Sequence, residues 1–496
     1  MQMSLQNKIG LGIAIVLFLT YAFFPQDWRN DNVVSRMALT LSILEDGTVK
    51  INKFQEETHD IAFYGGDYYS DKAPGMAFSA LPIAALTRAT RLSAEKDGAW
   101  LRAGKLTRNF QIIVYWSTLF TSGLMTALTA LALYFLALRL GAGTAGAIFA
   151  SLAYGLATPA WGWAGAFFGH AMAGACLFLG FAAVFHLVYG SLDPRRETLA
   201  AALAGALLAW AVVVEFTTLP AAAIIAGYGM IAARCWERRK LLRVAFYVGV
   251  SAILFAVPLL VYNTLAFGSP LRVGYGSVPG FEGLRQGFFG LSYPQADVLY
   301  RLIFPQYRGI LWYAPVLLGV PFAFYILWRE GKFRGLALVL GLVPLYFLLM
   351  NASYFYWDGG GSTGPRHLTP ALAFLCLPLG ILWSRIHQTF RPVLLGLLVF
   401  SFQIAFISAA VDITTSPDFR EPLFDYLIPE FLEGNILRPP IVRGLNGHLI
   451  LLPLLLIWAL GYLYMRRLLV RMEDASNPPS SPLLPELGEG AGGHKR

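Results

Sequence analysis

Long apolar runs alternate with short polar breaks along most of the chain. Twelve runs of about 16 to 28 residues fall near 9–24, 110–137, 142–162, 168–189, 197–216, 218–233, 241–263, 309–328, 334–351, 367–384, 392–411 and 448–465. Each is close to the length a helix needs to cross a bilayer. A thirteenth run, 73–88, is short and follows Pro74, and whether it crosses sets the parity of every later span. If it does not cross, most loop arginines and lysines share one side, including Arg234, Arg238, Arg239, Lys240 and Arg243. If it does cross, these loops exchange sides and the positive charge falls on the outer face, against the usual rule. Charge therefore predicts 73–88 as a helix in the outer interface, with both termini cytoplasmic.

On this reading the outer face receives the first large loop, 25–109, the turn 163–168, and the loops 264–308, 352–366 and 412–447. Residues 1–472 make one transmembrane domain with no internal repeat and no separate soluble domain. Residues 473–496, rich in Pro, Gly, Ser and Glu, read as a disordered cytoplasmic tail. The run 9–24 has Lys8 before it and no small-x-small cleavage site after it, so it reads as an uncleaved anchor.

Composition agrees with an all-α polytopic membrane protein: 56% of residues are hydrophobic, 14% are charged, and mean hydropathy is +0.57. The net charge of +9 lies in short clusters between spans, where topology already accounts for it, and nucleic acid is not an expected partner. Three cysteines, Cys176, Cys235 and Cys376, show no metal-ligand spacing and read as small packing residues.

The candidate chemistry sits in the polar outer segments. Asp60-Ile-Ala-Phe-Tyr-Gly-Gly-Asp-Tyr-Tyr-Ser-Asp-Lys-Ala-Pro-Gly75 gathers carboxylates, a lysine and tyrosines around a Gly65-Gly66 hairpin turn. Its Lys72 suits a phosphate, although a lysine there also serves as an interfacial anchor. Upstream, a helix-like run over 33–44 ends at Asp46-Gly47. Asp31 ahead of it is either a cap or a general base on an acceptor hydroxyl, with Asp60 as the rival base. His170 opens the fourth span and Glu215 closes the fifth, both on the outer side. With Asp71 they are candidates to line a polar cavity or to ligate a divalent cation, the one cofactor these side chains would suit; each is also compatible with a plain hydrogen bond between helices. The run Tyr354-Phe-Tyr-Trp-Asp-Gly-Gly-Gly-Ser-Thr-Gly-Pro-Arg-His-Leu368 offers the Arg366 fork and a backbone able to approach a ligand. Gly141-Ala-Gly143-Thr-Ala-Gly146 matches a dinucleotide fingerprint but joins two spans and follows no strand, so it is set aside.

Together these residues resemble the GT-C superfamily, membrane glycosyltransferases that use polyprenyl-phosphate sugars, such as the aminoarabinose transferases and protein O-mannosyltransferases. The resemblance covers the layout of most of the chain. It is carried by Tyr69-Ser-Asp-Lys-Ala-Pro-Gly75, Phe168-Gly-His170, Phe304-Pro-Gln-Tyr-Arg-Gly309 and Gly364-Pro-Arg-His-Leu368. It implies a GT-C-like bundle of about 12–13 transmembrane helices, with interfacial helices in the first periplasmic loop. It implies that Lys72, Arg366 and Arg308 hold the lipid phosphate while Asp31 or Asp60 activates the acceptor. The implied reaction is an inverting transfer from a polyprenyl-phosphate sugar to an envelope glycan, lipid or protein, on the outer face of the bacterial inner membrane. Two positions depart from the pattern: Asn32 stands where the aminoarabinose transferases place their aspartate, and His170 stands at their second acidic position. A ligase acting on a lipid-linked glycan and a lipid flippase are the competing readings.

Overall fold

The computed structural model describes residues 3–90, 100–102 and 105–476. It is helical almost throughout. Nine helices among the described residues are long and apolar enough to cross a membrane: Arg108–Arg139, Gly169–Tyr189, Pro194–Val214, Phe216–Cys235, Arg238–Phe267, Arg334–Ala352, Arg366–Arg385, Gln388–Val411 and Gly447–Asp474. Three shorter apolar helices, Leu5–Tyr21, Gly143–Leu156 and Pro315–Arg329, fall on the other three expected spans.

Two of those spans are shortened by proline. The run expected over 142–162 stops at Leu156, because Pro159 disfavours helix in the residue before it, and a separate turn, Ala160–Ala164, follows. The run over 309–328 is divided at Ala314, whose extended φ of −146° precedes Pro315, so the regular helix begins only at Val320. At the other end of the chain the last helix continues to Ser476, past the expected start of the tail; the tail beyond it lies outside the described residues.

The first loop builds the scaffold of the site. Helix α1 (Leu5–Tyr21) is followed by α2 (Asp31–Asp46), which Asn30 caps by accepting from the Asn32 N–H and which Gly47 ends at φ 62°. Strands β1 (Ile61–Tyr64) and β2 (Asp67–Ser70) form the expected hairpin, with Tyr64 opposite Asp67 and Ile61 opposite Ser70. Gly65 and Gly66 turn it at φ 64° and 91°, the left-handed pair that a two-residue hairpin requires. Asp67 is a turn residue: it pairs with Lys50 at 2.7 Å and accepts from Asn52 at 2.8 Å.

Helix α3 (Gly75–Ala89) occupies the thirteenth run. At 1.5 Å per residue, its 15 residues fall short of a bilayer core about 30 Å thick. Ala77, Ala80 and Ala84 bury one face of it. Its first residue approaches the end of Pro194–Val214 so closely that a Cβ on Gly75 would lie 2.6 Å from backbone atoms of Val213 and Val214. Small residues therefore bring the chain after Lys72 against the chain before Glu215.

Candidate active site

The hairpin register explains the first half of the site. Because Ile61 pairs with Ser70, the next residues outward, Asp60 and Asp71, meet at the open end of the ladder with Lys72 beside them. Lys72 Nζ lies 3.0 Å from Asp60 Oδ2 and 2.8 Å from Asp71 Oδ2. Thr58 fixes the approach of this segment, donating to the Asp31 carbonyl at 2.8 Å and accepting from the Asp60 N–H at 3.1 Å. Burial pushes the Asp71 carboxyl up to about 6, with the Lys72 charge opposing that rise. Burial also works against the Lys72 ammonium, but the two carboxylates outweigh it and hold the group above its ordinary range. Asp71 Oδ1 is buried and has no hydrogen-bond partner. The loop 264–308 covers it, and a Cβ on Gly274 would sit 3.0 Å from Asp71 Cα.

The second half is a buried ion pair between elements far apart in sequence. Arg36, on α2, donates to Glu215 Oε1 at 2.8 Å, to Asn32 Oδ1 at 2.8 Å and to the Ala73 carbonyl at 3.2 Å. It therefore ties α2 to the Lys72 segment and to the end of Pro194–Val214. His170 Nδ1 stands 4.0 Å from Glu215 Oε1, beyond hydrogen-bonding distance. Gly169 leaves the space for that carboxylate, since a Cβ there would collide with Glu215. The His170 ring meets His367 edge to face at 5.1 Å, and Tyr354 also meets His367 edge to face, at 5.6 Å.

Arg366 completes the group. Its guanidinium carbon lies 5.5 Å from the centre of the Phe168 ring, its Nη1 reaches the Gly361 carbonyl only at 3.5 Å, and its buried Nε has no partner. Among the described residues it pairs with no carboxylate. Arg366 is thus a cation with hydrogen-bonding capacity to spare, facing the same cluster as Lys72.

Not every predicted residue enters the cluster. Asp31 lies on the rim: Asn30 takes the capping role, and the Asp31 carboxylate, 46% exposed, accepts from the His59 N–H at 2.9 Å. Arg308 is fully buried and spends its donors on the carbonyls of Tyr307, Asp358 and Gly360 at 2.8–2.9 Å, fastening the glycine turn that leads to Arg366. Sequence reasoning passed over Arg36 and His367. The signal for Arg36 was a lone arginine within the run 33–44, and His367 directly follows Arg366.

No three His, Cys, Asp or Glu side chains among the described residues converge as a metal-ligand set. Asp60 and Asp71 lie against Lys72 and Glu215 against Arg36, while Asp71 Oδ1 stays without a partner.

No family model matches the chain, and no curated protein matches it significantly. Solved structures do match. ArnT from Cupriavidus metallidurans bound to undecaprenyl phosphate aligns over 95% of this chain and 71% of its own, at a TM-score of 0.50 and 14% identity. The apo state of the same protein aligns over 93% and 69%, at 0.47 and 15%. At this identity the likeness concerns fold: the chain has the polytopic GT-C architecture that its motifs resemble.

Proposed function

We propose that this protein is a membrane glycosyltransferase that moves a sugar from a polyprenyl-phosphate donor to an acceptor of the cell envelope, with inversion. The observation that carries the reading is the Arg366 guanidinium, free of any carboxylate partner and within reach of the field of Asp60, the acid that Lys72 pairs with, in the fold of a protein solved with undecaprenyl phosphate. A planar fork and an ammonium together suit a phosphate whose charge grows as the bond to the sugar breaks. The acceptor would be a glycan, lipid or protein on the outer face of the bacterial inner membrane, with both termini of the enzyme in the cytoplasm.

In this reading the acceptor oxygen attacks the anomeric carbon as the carbon–oxygen bond to phosphate breaks, and the phosphate leaves with the electron pair. Asp60 takes the acceptor proton. Its Oδ2 is engaged by Lys72 in the resting protein, but a bound phosphate competes for that ammonium and frees the Asp60 oxygen to meet the acceptor. Donor binding thereby prepares the base. Arg36, paired with Glu215, holds the segment after Lys72 in place. Arg308 acts through the glycine turn, as a positioning residue for Arg366. His170 and His367 pack ring to ring beside this group, with Trp163 and Phe168 behind His170.

The reading is tested by supplying purified protein with native lipid extract and analysing the product. Released undecaprenyl phosphate and a sugar of inverted anomeric configuration are expected; retained configuration or no release would overturn it.

The Asp71 carboxyl gives a pH test. Its pKa is raised to about 6, so it is neutral below that pH and ionised above it. Ionisation adds a second carboxylate on Lys72, so donor affinity attributable to Lys72 falls as pH rises through about 6. The sign for stability is the same: a raised carboxyl binds its proton more tightly when folded, and stability is lost as pH climbs from the ordinary aspartate range through about 6. Asp71→Asn is expected to bind undecaprenyl phosphate more tightly than the parent at pH 7.5 and to match it near pH 5. The headgroup's own ionisation is common to both proteins and cancels. Equal affinities at both pH values would remove Asp71 from the phosphate site.

A further inference from the structure

A cavity of about 540 Å³ opens at the same end of the bundle as the charged cluster. Three segments contribute both to the lining of the cavity and to the cluster or the loop that leads to it. At the start of α2, Asn30 and Val33 line the cavity, while Arg36, one turn after Val33, donates to Glu215 and to the Asn32 side-chain oxygen. Ahead of Gly169–Tyr189 the backbone is extended at Phe168, and side chains alternate: Phe167 lines the cavity and Phe168 lies against Arg366. Asp412 and Thr414 line the cavity. Between and beside them, the carbonyls of Ile413 and Thr415 accept from Thr363 and Ser362 at 2.8 and 2.9 Å, holding the loop that leads to Arg366.

The lining differs in chemistry from the Lys72 cluster. Asp27 and Asp412 supply carboxylates, Arg438 a guanidinium, Gln111 an amide, and Trp28, Tyr115 and Tyr426 flat rings. The Gln111 amide and Asp412 Oδ2 make no hydrogen bond among the described residues. The volume lies within the roughly 300–1,000 Å³ of small-ligand sites. Carboxylates and an amide accept from hydroxyl or ammonium groups, and ring faces cover the C–H faces of a sugar. With two acids against the single Arg438 guanidinium, the lining favours a neutral or cationic group over a phosphate.

We propose that this cavity is the acceptor subsite and receives a saccharide group of the acceptor, against the opposite side of the wall from the donor phosphate. The proposal rests on the transferase reading.

The test uses Gln111→Cys in a Cys235→Ser background, because Cys176 and Cys376 are buried. Glucosamine or glucose is expected to slow maleimide labelling of Cys at position 111. Stronger protection by glucosamine assigns the carboxylates to an ammonium, and equal protection assigns them to hydroxyls. Labelled protein is expected to lose about tenfold or more of its release of undecaprenyl phosphate at limiting envelope glycolipid extract, while its affinity for undecaprenyl phosphate stays within about twofold. Asp27→Asn, at an exposed position, is expected to raise the extract concentration for half-maximal rate and leave the fold intact. Unchanged extract dependence in both proteins would overturn the subsite, as would labelling indifferent to either sugar. If the parent releases no undecaprenyl phosphate at all, the transferase reading fails by itself, and sugar protection alone decides whether the cavity binds saccharide.

Discussion

Lys72→Ala is expected to lower release of undecaprenyl phosphate by about 10²–10³-fold, the usual effect of removing one preorganised group that stabilises charge in a transition state. The loss should appear mainly in the turnover number, because charge on the leaving phosphate is greatest as the glycosidic bond breaks. The substitution also leaves Asp60 and Asp71 side by side without their shared cation. Part of any loss would then reflect a disturbed fold, and Lys72→Ala combined with Asp71→Asn separates the two effects. The double variant relieves the carboxylate repulsion and should be folded but still inactive. Lys72→Arg keeps the charge and should retain partial activity. A double variant as active as the parent would make Lys72 an interfacial anchor and nothing more.

Arg36→Ala is expected to destabilise the protein by about 3–5 kcal/mol, the range for removing one partner of a buried ion pair. The Arg36 and Glu215 side chains are 3% and 8% exposed, so the stranded carboxylate has little water to turn to. Asn32 and the Ala73 carbonyl lose a donor at the same time. Glu215→Gln keeps an acceptor oxygen for Arg36 and should cost less, about 1.5–3 kcal/mol. Replacing both residues by methionine should recover much of the loss, since the desolvation of two charges is removed along with their attraction. Unfolding in a denaturing detergent titration measures all three. A cost below about 1 kcal/mol for Arg36→Ala would mean that the pair is open to water.

The hairpin and the spans were legible in the sequence because they are local. Gly65-Gly66 fixes its own turn, α2 stops where Gly47 allows a left-handed residue, and apolar runs of bilayer length announce themselves without reference to neighbours. The helix breaks at Ala157 and Ala314 were overlooked although Pro159 and Pro315 mark them. The site was legible only in part. Lys72, Asp60 and Asp71 meet through one short ladder, so their juxtaposition follows from register. Arg36 and Glu215 are separated by 179 positions, and nothing along either segment points to the other. Arg308 shows a related limit: a buried guanidinium suits a phosphate or a set of carbonyls equally well in sequence, and the glycine turn at 358–360 supplied the carbonyls. Asp31 and Asp60 looked alike as acids in one loop, and the distinction between rim and cluster came from Thr58, whose hydroxyl bonds with the backbone of both.

The most direct test of the central claim is to locate the phosphate of undecaprenyl phosphate bound to the full-length protein in lipid nanodiscs by electron cryomicroscopy. The account predicts phosphate density within hydrogen-bonding distance of both Lys72 and Arg366, with Lys72 drawn away from Asp60. Density at another place on the bundle, with the Lys72–Asp60–Asp71 contacts undisturbed, would contradict it.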